Sequence, residues 1–266
     1  MEAGEELLNL DFVEFPYEDS GSVGKRVCAG VCGRPVSVCL CDKMPLEPMS
    51  TSTRIVILHH PHEQRHKLST VPVLLKCLRN CQTLIGRRLK FGSSAVLDSL
   101  YSDAVQNPSL THRAIFLFPG SDSMPSIEVD QWRSSLVDGS MNNYVMIVFD
   151  GTWKHAKEMV SASLPFLSKF ATRVCLKYDV EVDGGCIFDS ELILRKEPFG
   201  GCMSTMEAVA RALRVLEPAG IELENRLVHI LKEMVRLQAC HLNPMKPRPK
   251  LLKKKMEGKD KTQLTA

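Results

Sequence analysis

Apolar residues in the middle of the chain follow two alternating patterns. Ile55-Val56-Ile57-Leu58, Ala114-Ile115-Phe116-Leu117-Phe118 and Val145-Met146-Ile147-Val148-Phe149 are short unbroken runs. Such runs predict strands covered on both faces, since no alternate position is left for water. Val174-Cys175-Leu176 marks a fourth strand, and Leu192-Ile193-Leu194 either extends the sheet or lies in a loop. Between these runs the spacing widens to helical. One helix is expected from about 70 to 80 and another from the third strand through about 162. In 204–216, Met206, Val209, Ala210, Leu213 and Leu216 share a face, with Ser204 and Glu207 spaced as a capping box. In 222–239, Leu223, Leu227, Ile230, Leu231, Met234 and Leu237 form a second stripe, and Pro244, Pro247 and Pro249 end helical structure beyond it. Strands alternating with helices predict an α/β fold, a mostly parallel sheet flanked by helices.

The ends of the chain lack this patterning. Residues 1–25 are expected to be a flexible leader; its first 20 positions hold seven acids and no Lys or Arg. Residues 26–45 are rich in cysteine, 50–243 form the main domain, and 244–266 read as a basic disordered tail. That tail packs eight bases against Glu257 and Asp260 within 246–261, which suits a solvated end, a polyanion-binding arm or a nuclear-localisation patch. No run reaches the roughly 18 apolar residues a membrane span needs, and the acidic start lacks the basic region of a secretory signal. A cytoplasmic or nuclear location is therefore expected, with no membrane association and no obligate protein partner implied. There the ten cysteines stay reduced, and clustered ones point to metal.

Ligands of open α/β sheets sit beyond the carboxyl ends of the strands, so the segments after the three strongest strands are the candidate chemistry. The first is His59-His60-Pro61-His62-Glu63-Gln64-Arg65-His66-Lys67-Leu68-Ser69-Thr70. Consecutive His59 and His60 at a strand end point in opposite directions. Thr70 is placed to cap the next helix. After the second strand comes Pro119-Gly120-Ser121. After the third comes Asp150-Gly151-Thr152-Trp153, which sets a carboxylate beside the free N–H groups of a helix start; a simple helix cap is the plainer alternative. Cys28, Cys32, Cys39 and Cys41 lie within fourteen residues and suit a tetrahedral structural zinc. Cys77 and Cys81, one helical turn apart, read as core.

Taken together these segments resemble the DTW-domain family of tRNA-uridine aminocarboxypropyltransferases (TDD superfamily, SPOUT-like), over roughly residues 26–243. The resemblance is carried by the cysteine cluster with Asp42, by His60-Pro61-His62-Glu63-Gln64-Arg65 with Ser69-Thr70, and by Phe118-Pro119-Gly120. Asp150-Gly151-Thr152-Trp153, Leu194-Arg195-Lys196-Glu197-Pro198 and Ser204-Thr205-Met206-Glu207-Ala208 complete it. One departure is the three residues between Cys28 and Cys32, where relatives commonly have two.

The resemblance implies a fold similar to the knotted SPOUT methyltransferases, S-adenosylmethionine as co-substrate and tRNA as partner. It implies transfer of the 3-amino-3-carboxypropyl group to uridine N3. Asp150, Thr152 and Trp153 are then expected to be catalytic. His60, Glu63, Arg65, Pro119, Gly120, Arg195, Glu197, Ser204 and Thr205 are expected to bind the co-substrate, and the four clustered cysteines to hold zinc. An RNA methyltransferase and a non-catalytic zinc-containing RNA-binding adaptor are the alternatives.

Overall fold

The structure is a computed structural model that describes residues 27–30, 32–64, 66, 69–107, 113–121, 124–136, 143–177 and 203–241. Six strands make one sheet: β1 (Arg54–His59), β2 (Cys81–Ile85), β3 (Ala114–Leu117), β4 (Ile127–Glu128), β5 (Val145–Asp150) and β6 (Ala171–Cys175). Their order is β2-β1-β5-β3-β6-β4, and every described pairing is parallel. The expected α/β architecture is therefore present. The apolar runs form its centre, with β1, β3 and β5 almost wholly buried.

Alternation along those strands divides the interior into two clusters. Ile55, Ile57, Ile115, Leu117, Met146 and Val148 face α1 (Val71–Cys77), α3 (Val129–Ser134), α5 (Thr205–Leu216) and α6 (Gly220–Ala239). Val56, Leu58, Phe116, Ile147 and Phe149 face α2 (Ala95–Gln106) and α4 (Trp153–Leu167). Leu40 and Met44, beside the cysteine cluster, belong to the first set.

The helix expected over 70–80 is shorter than its pattern. It stops at Cys77 because Leu78 turns extended, fully buried, and bridges Met49. Cys77 and Cys81 consequently lie in different elements, the end of α1 and the start of β2, not on one helical turn. Both stay reduced core thiols, and burial pushes each up to about 12. Four elements are not signalled by the apolar pattern. The strand β2 lies at an edge and is only half-buried, so Gln82 and Thr83 fall within it. Elements β4 and α3 are too short to show a period, and α2 buries only Leu97 and Ala104 fully. The segment Leu192–Leu194 and any knot threaded through 178–202 lie outside the described residues, as do the leader and the tail.

Candidate active site

Strands β1 and β5 are central neighbours, and their last residues, His59 and Asp150, are register partners. Partners in a parallel pair project to the same face, so the imidazole and the carboxylate meet. His59 Nδ1 lies 2.6 Å from Asp150 Oδ2. The other carboxylate oxygen, Oδ1, accepts from the Thr205 hydroxyl at the start of α5. Asp150 is 8% exposed and His59 is 5% exposed. Both carboxylate oxygens are thus engaged, and the bonds tie the ends of β1 and β5 to the first turn of α5.

His60 points to the opposite face, as expected of adjacent strand-end residues. Its ring stacks on that of His155, in the first turn of α4, with centroids 3.8 Å apart and planes 11° from parallel. Gly151 makes room for this: a Cβ there would lie 3.1 Å from His155 Cβ and 3.4 Å from His60 Cβ. Burial first, and then the nearby His155, His62 and Arg87, push the His60 pKa down. His60 Nδ1 accepts the His62 backbone N–H at 3.3 Å, which selects the neutral tautomer protonated on Nε2. His60, His62 and His155 offer nitrogens within 4.8 Å of one another. The His60 and His155 rings are parallel, however, so their in-plane lone pairs run side by side rather than toward one ion. The arrangement is a stack of imidazoles.

The third group surrounds Trp153, the first residue of α4. Its ring lies 5.9 Å from that of Phe118, and the Arg173 guanidinium covers the other partner, 5.3 Å from the Phe118 centroid. Arg173 also donates to the carbonyls of Phe118 and Pro119. Gly120 is packed against Ser126, whose Oγ would lie 2.7 Å from any added Cβ. Strands β3, β5 and β6 thereby deliver an aromatic pair and a cation to one edge.

Two expected site residues spend their hydroxyls on helix starts. Thr152 Oγ1 accepts the His155 N–H at 3.3 Å, and Ser204 Oγ accepts the Glu207 N–H at 3.1 Å. Glu207 is fully buried and its carboxylate accepts from Arg211. Thr70 occupies the position before α1, but its side chain makes no capping bond. Glu63 is buried in the turn Pro61–Glu63. Arg65, Arg195 and Glu197 lie outside the described residues.

The four cysteines converge although three residues separate the first two. Cys28 and Cys41 sulfurs are 3.6 Å apart, Cys32 and Cys39 3.6 Å, and Cys28 and Cys39 3.3 Å. A tetrahedral tetrathiolate with zinc–sulfur bonds of about 2.3 Å has sulfurs roughly 3.8 Å apart, so the donor set fits a metal ion. Backbone N–H groups of Gly30, Cys32 and Cys41 point at the sulfurs. For Cys32, burial pushes the thiol up, but hydrogen bonds from the Leu40 and Arg34 backbone together with those from the Cys41 and Cys39 thiols bring it down to about 6.

Asp150, Thr152, Trp153, His60, Glu63, Pro119, Gly120, Ser204 and Thr205 thus gather at the carboxyl edge of the sheet or at the helix starts that face it. His59, His155 and Arg173 join them without having been singled out as site residues. The His59–Asp150 contact follows from strand pairing, which no local pattern records.

The DTW domain family matches residues 25–239. The chain is similar to tRNA-uridine aminocarboxypropyltransferase A of Arabidopsis thaliana, with 48% identity over 88% of this chain and 89% of the relative. It is also similar to tRNA-uridine aminocarboxypropyltransferase 2 of Drosophila melanogaster, 31% identical over 78% and 73%, and of Mus musculus, 29% identical over 82% and 65%. No solved structure gives a significant match.

Proposed function

The chain belongs to the DTW-domain family, and from that premise we propose that it is a tRNA-uridine aminocarboxypropyltransferase. The reaction joins S-adenosylmethionine to uracil N3. N3 attacks the methionine-arm carbon attached to sulfur, the carbon–sulfur pair returns to sulfur, and methylthioadenosine leaves. The N3 proton passes to a base or to water, giving 3-(3-amino-3-carboxypropyl)uridine. The observation that carries this reading is 48% identity to a named enzyme of this activity along nearly the whole of both chains.

The chemistry asks chiefly for positioning. A sulfonium has three carbon arms, and only the one held in line with N3 reacts; such alignment is worth up to roughly 7–11 kcal/mol. N3 is a Watson–Crick atom, so the target base must be unpaired or flipped out. Both Asp150 oxygens are engaged, by His59 and Thr205, which supports a positioning role for Asp150 in preference to that of a free base. The same tie supports Thr205 as an anchor of the first turn of α5 on β5. Trp153 and Phe118 offer an aromatic edge for a ring, and the Pro119-Gly120 turn, held by Arg173, borders it. His60, stacked on His155, is suited to accept or relay a proton. Glu63, Arg65, Arg195 and Glu197 remain assigned to the amino-acid end of the co-substrate or to phosphate, Arg65 and Arg195 suiting carboxylate or phosphate by their forked donors. Thr152 and Ser204 act through the helix starts they cap.

The four thiolates Cys28, Cys32, Cys39 and Cys41 would hold a structural zinc, which fixes the segment carrying Leu40 and Met44 against the core. No described helix is long and apolar enough to cross a membrane, and a tRNA substrate supports a location in cytoplasm or nucleus. Incubating the purified chain with unmodified tRNA and S-adenosylmethionine should give the modified uridine on nucleoside analysis. A methylated nucleoside would favour the methyltransferase alternative, and absence of S-adenosylmethionine binding would favour the adaptor.

A further inference from the structure

The loop from Gly86 to Gly92 leaves β2 at the same edge of the sheet. Ile85 is the register partner of His59, and Gly86 N–H donates to the His59 carbonyl at 3.1 Å. Arg87, Arg88 and Lys90 on this loop are exposed, and none has a carboxylate partner among the described residues. Four arginines on the last two helices behave differently. On α5 and α6, Arg211 pairs with Glu207, Arg214 with Glu224, Arg226 with Glu222 and Arg236 with Glu233, all at 2.9–3.1 Å. The loop thus presents three exposed cations without such pairing, beside the candidate site.

The loop is also held firmly. Leu89 is 1% exposed, and its N–H donates to Ser163 Oγ at 2.9 Å. Lys90 N–H donates to Ser93 Oγ at 3.0 Å, and Gly92, at φ 85°, donates to Asp98 Oδ1 at 2.9 Å. Burying Leu89 between the cations turns their side chains outward. Phe91, 60% exposed, leans edge-on against Tyr101 at 5.7 Å and leaves a face open. A fixed row of cations next to an open aromatic face suits a sugar–phosphate backbone with an unstacked base.

We infer that Arg87, Arg88 and Lys90 contact the phosphates of the RNA substrate, with Phe91 as a stacking face beside them. This rests on the tRNA reading above. The phosphates come from the strand that delivers the target uridine, because the loop and the Asp150 site share one edge.

The test is the salt dependence of tRNA binding by the full chain. It compares wild type with Arg87→Gln/Arg88→Gln/Lys90→Gln, and S-adenosylmethionine binding is followed on the same samples. The expected result is tRNA affinity at least about tenfold weaker near physiological salt. The slope of log affinity against log salt should be shallower by about two to three, and S-adenosylmethionine binding retained. Arg226→Gln on α6 should change neither quantity. Should the triple variant fail to fold, each single variant should shift the slope by about one. Phe91→Leu, which keeps an apolar contact with Tyr101, should weaken binding at an unchanged slope. Wild-type affinity and slope in the triple variant, while wild type binds and modifies tRNA, would overturn the loop assignment and leave the activity standing. A wild-type chain that binds no tRNA at any salt would overturn the activity reading itself.

Discussion

Asp150 is buried with one oxygen on His59 and the other on Thr205, so both oxygens are engaged before any substrate arrives. Hydrogen bonds to charged groups contribute ~1.5–3 kcal/mol each. Asp150→Asn should therefore lower turnover by roughly ten- to a hundredfold while the fold is kept, and Asp150→Ala should abolish product. Single-turnover rates with matched thermal melts separate these effects from unfolding. His60 sets a pH limit. Its folded-state pKa is depressed, so below the unfolded value of about 6.5 the unfolded chain takes up the proton more readily. Stability associated with neutral His60 is present above that pH and is lost as pH falls below it. Melting temperature against pH should decline on acidification in wild type and decline less in His60→Gln. Gly30 has a steric role: an added Cβ would sit 2.9 Å from Cys41 Sγ. Gly30→Ala should lower bound metal, measured by elemental analysis, and lower the melting temperature with it.

Among the elements, α5 does most to organise the site. Its first turn holds Asp150 through Thr205. Beyond its last turn, Glu217 accepts from Ser52 N–H and Oγ at 2.9 Å and from Thr53 N–H at 2.6 Å, just before β1. One helix thus clamps β1 near its start and β5 at its end. Removing that buried carboxylate leaves backbone donors unpaired, so Glu217→Ala should destabilise the fold by about 2–4 kcal/mol, read by chemical denaturation. The elements legible in the sequence were those whose burial is one-sided or complete. Strands β1, β3 and β5 show unbroken apolar runs, and α5 and α6 show clean stripes. The edge strand β2 does not, because half-burial admits Gln82 and Thr83. Site residues were legible wherever a local motif carries them, as in Asp150-Gly151-Thr152-Trp153. His59, His155 and Arg173 act through contacts 91, 95 and 55 residues distant in sequence, and no short window can display such pairings.

At the scale of the molecule, the sheet collects catalytic candidates at one edge while paired ions on α5 and α6 neutralise another face. Uncompensated cations on the Gly86–Gly92 loop then direct a polyanion toward that edge. Net charge is only +3, so the proposed RNA contact rests on the placement of charge more than on its total. The central claim is that the site aims the amino-acid arm of the sulfonium, not its methyl, at uracil. The most direct measurement supplies tRNA with S-adenosylmethionine labelled either in the carboxyl carbon or in the methyl. The carboxyl label should enter the tRNA, and the methyl label should stay with released methylthioadenosine. Methyl label in the tRNA with carboxyl label left in solution would contradict the account.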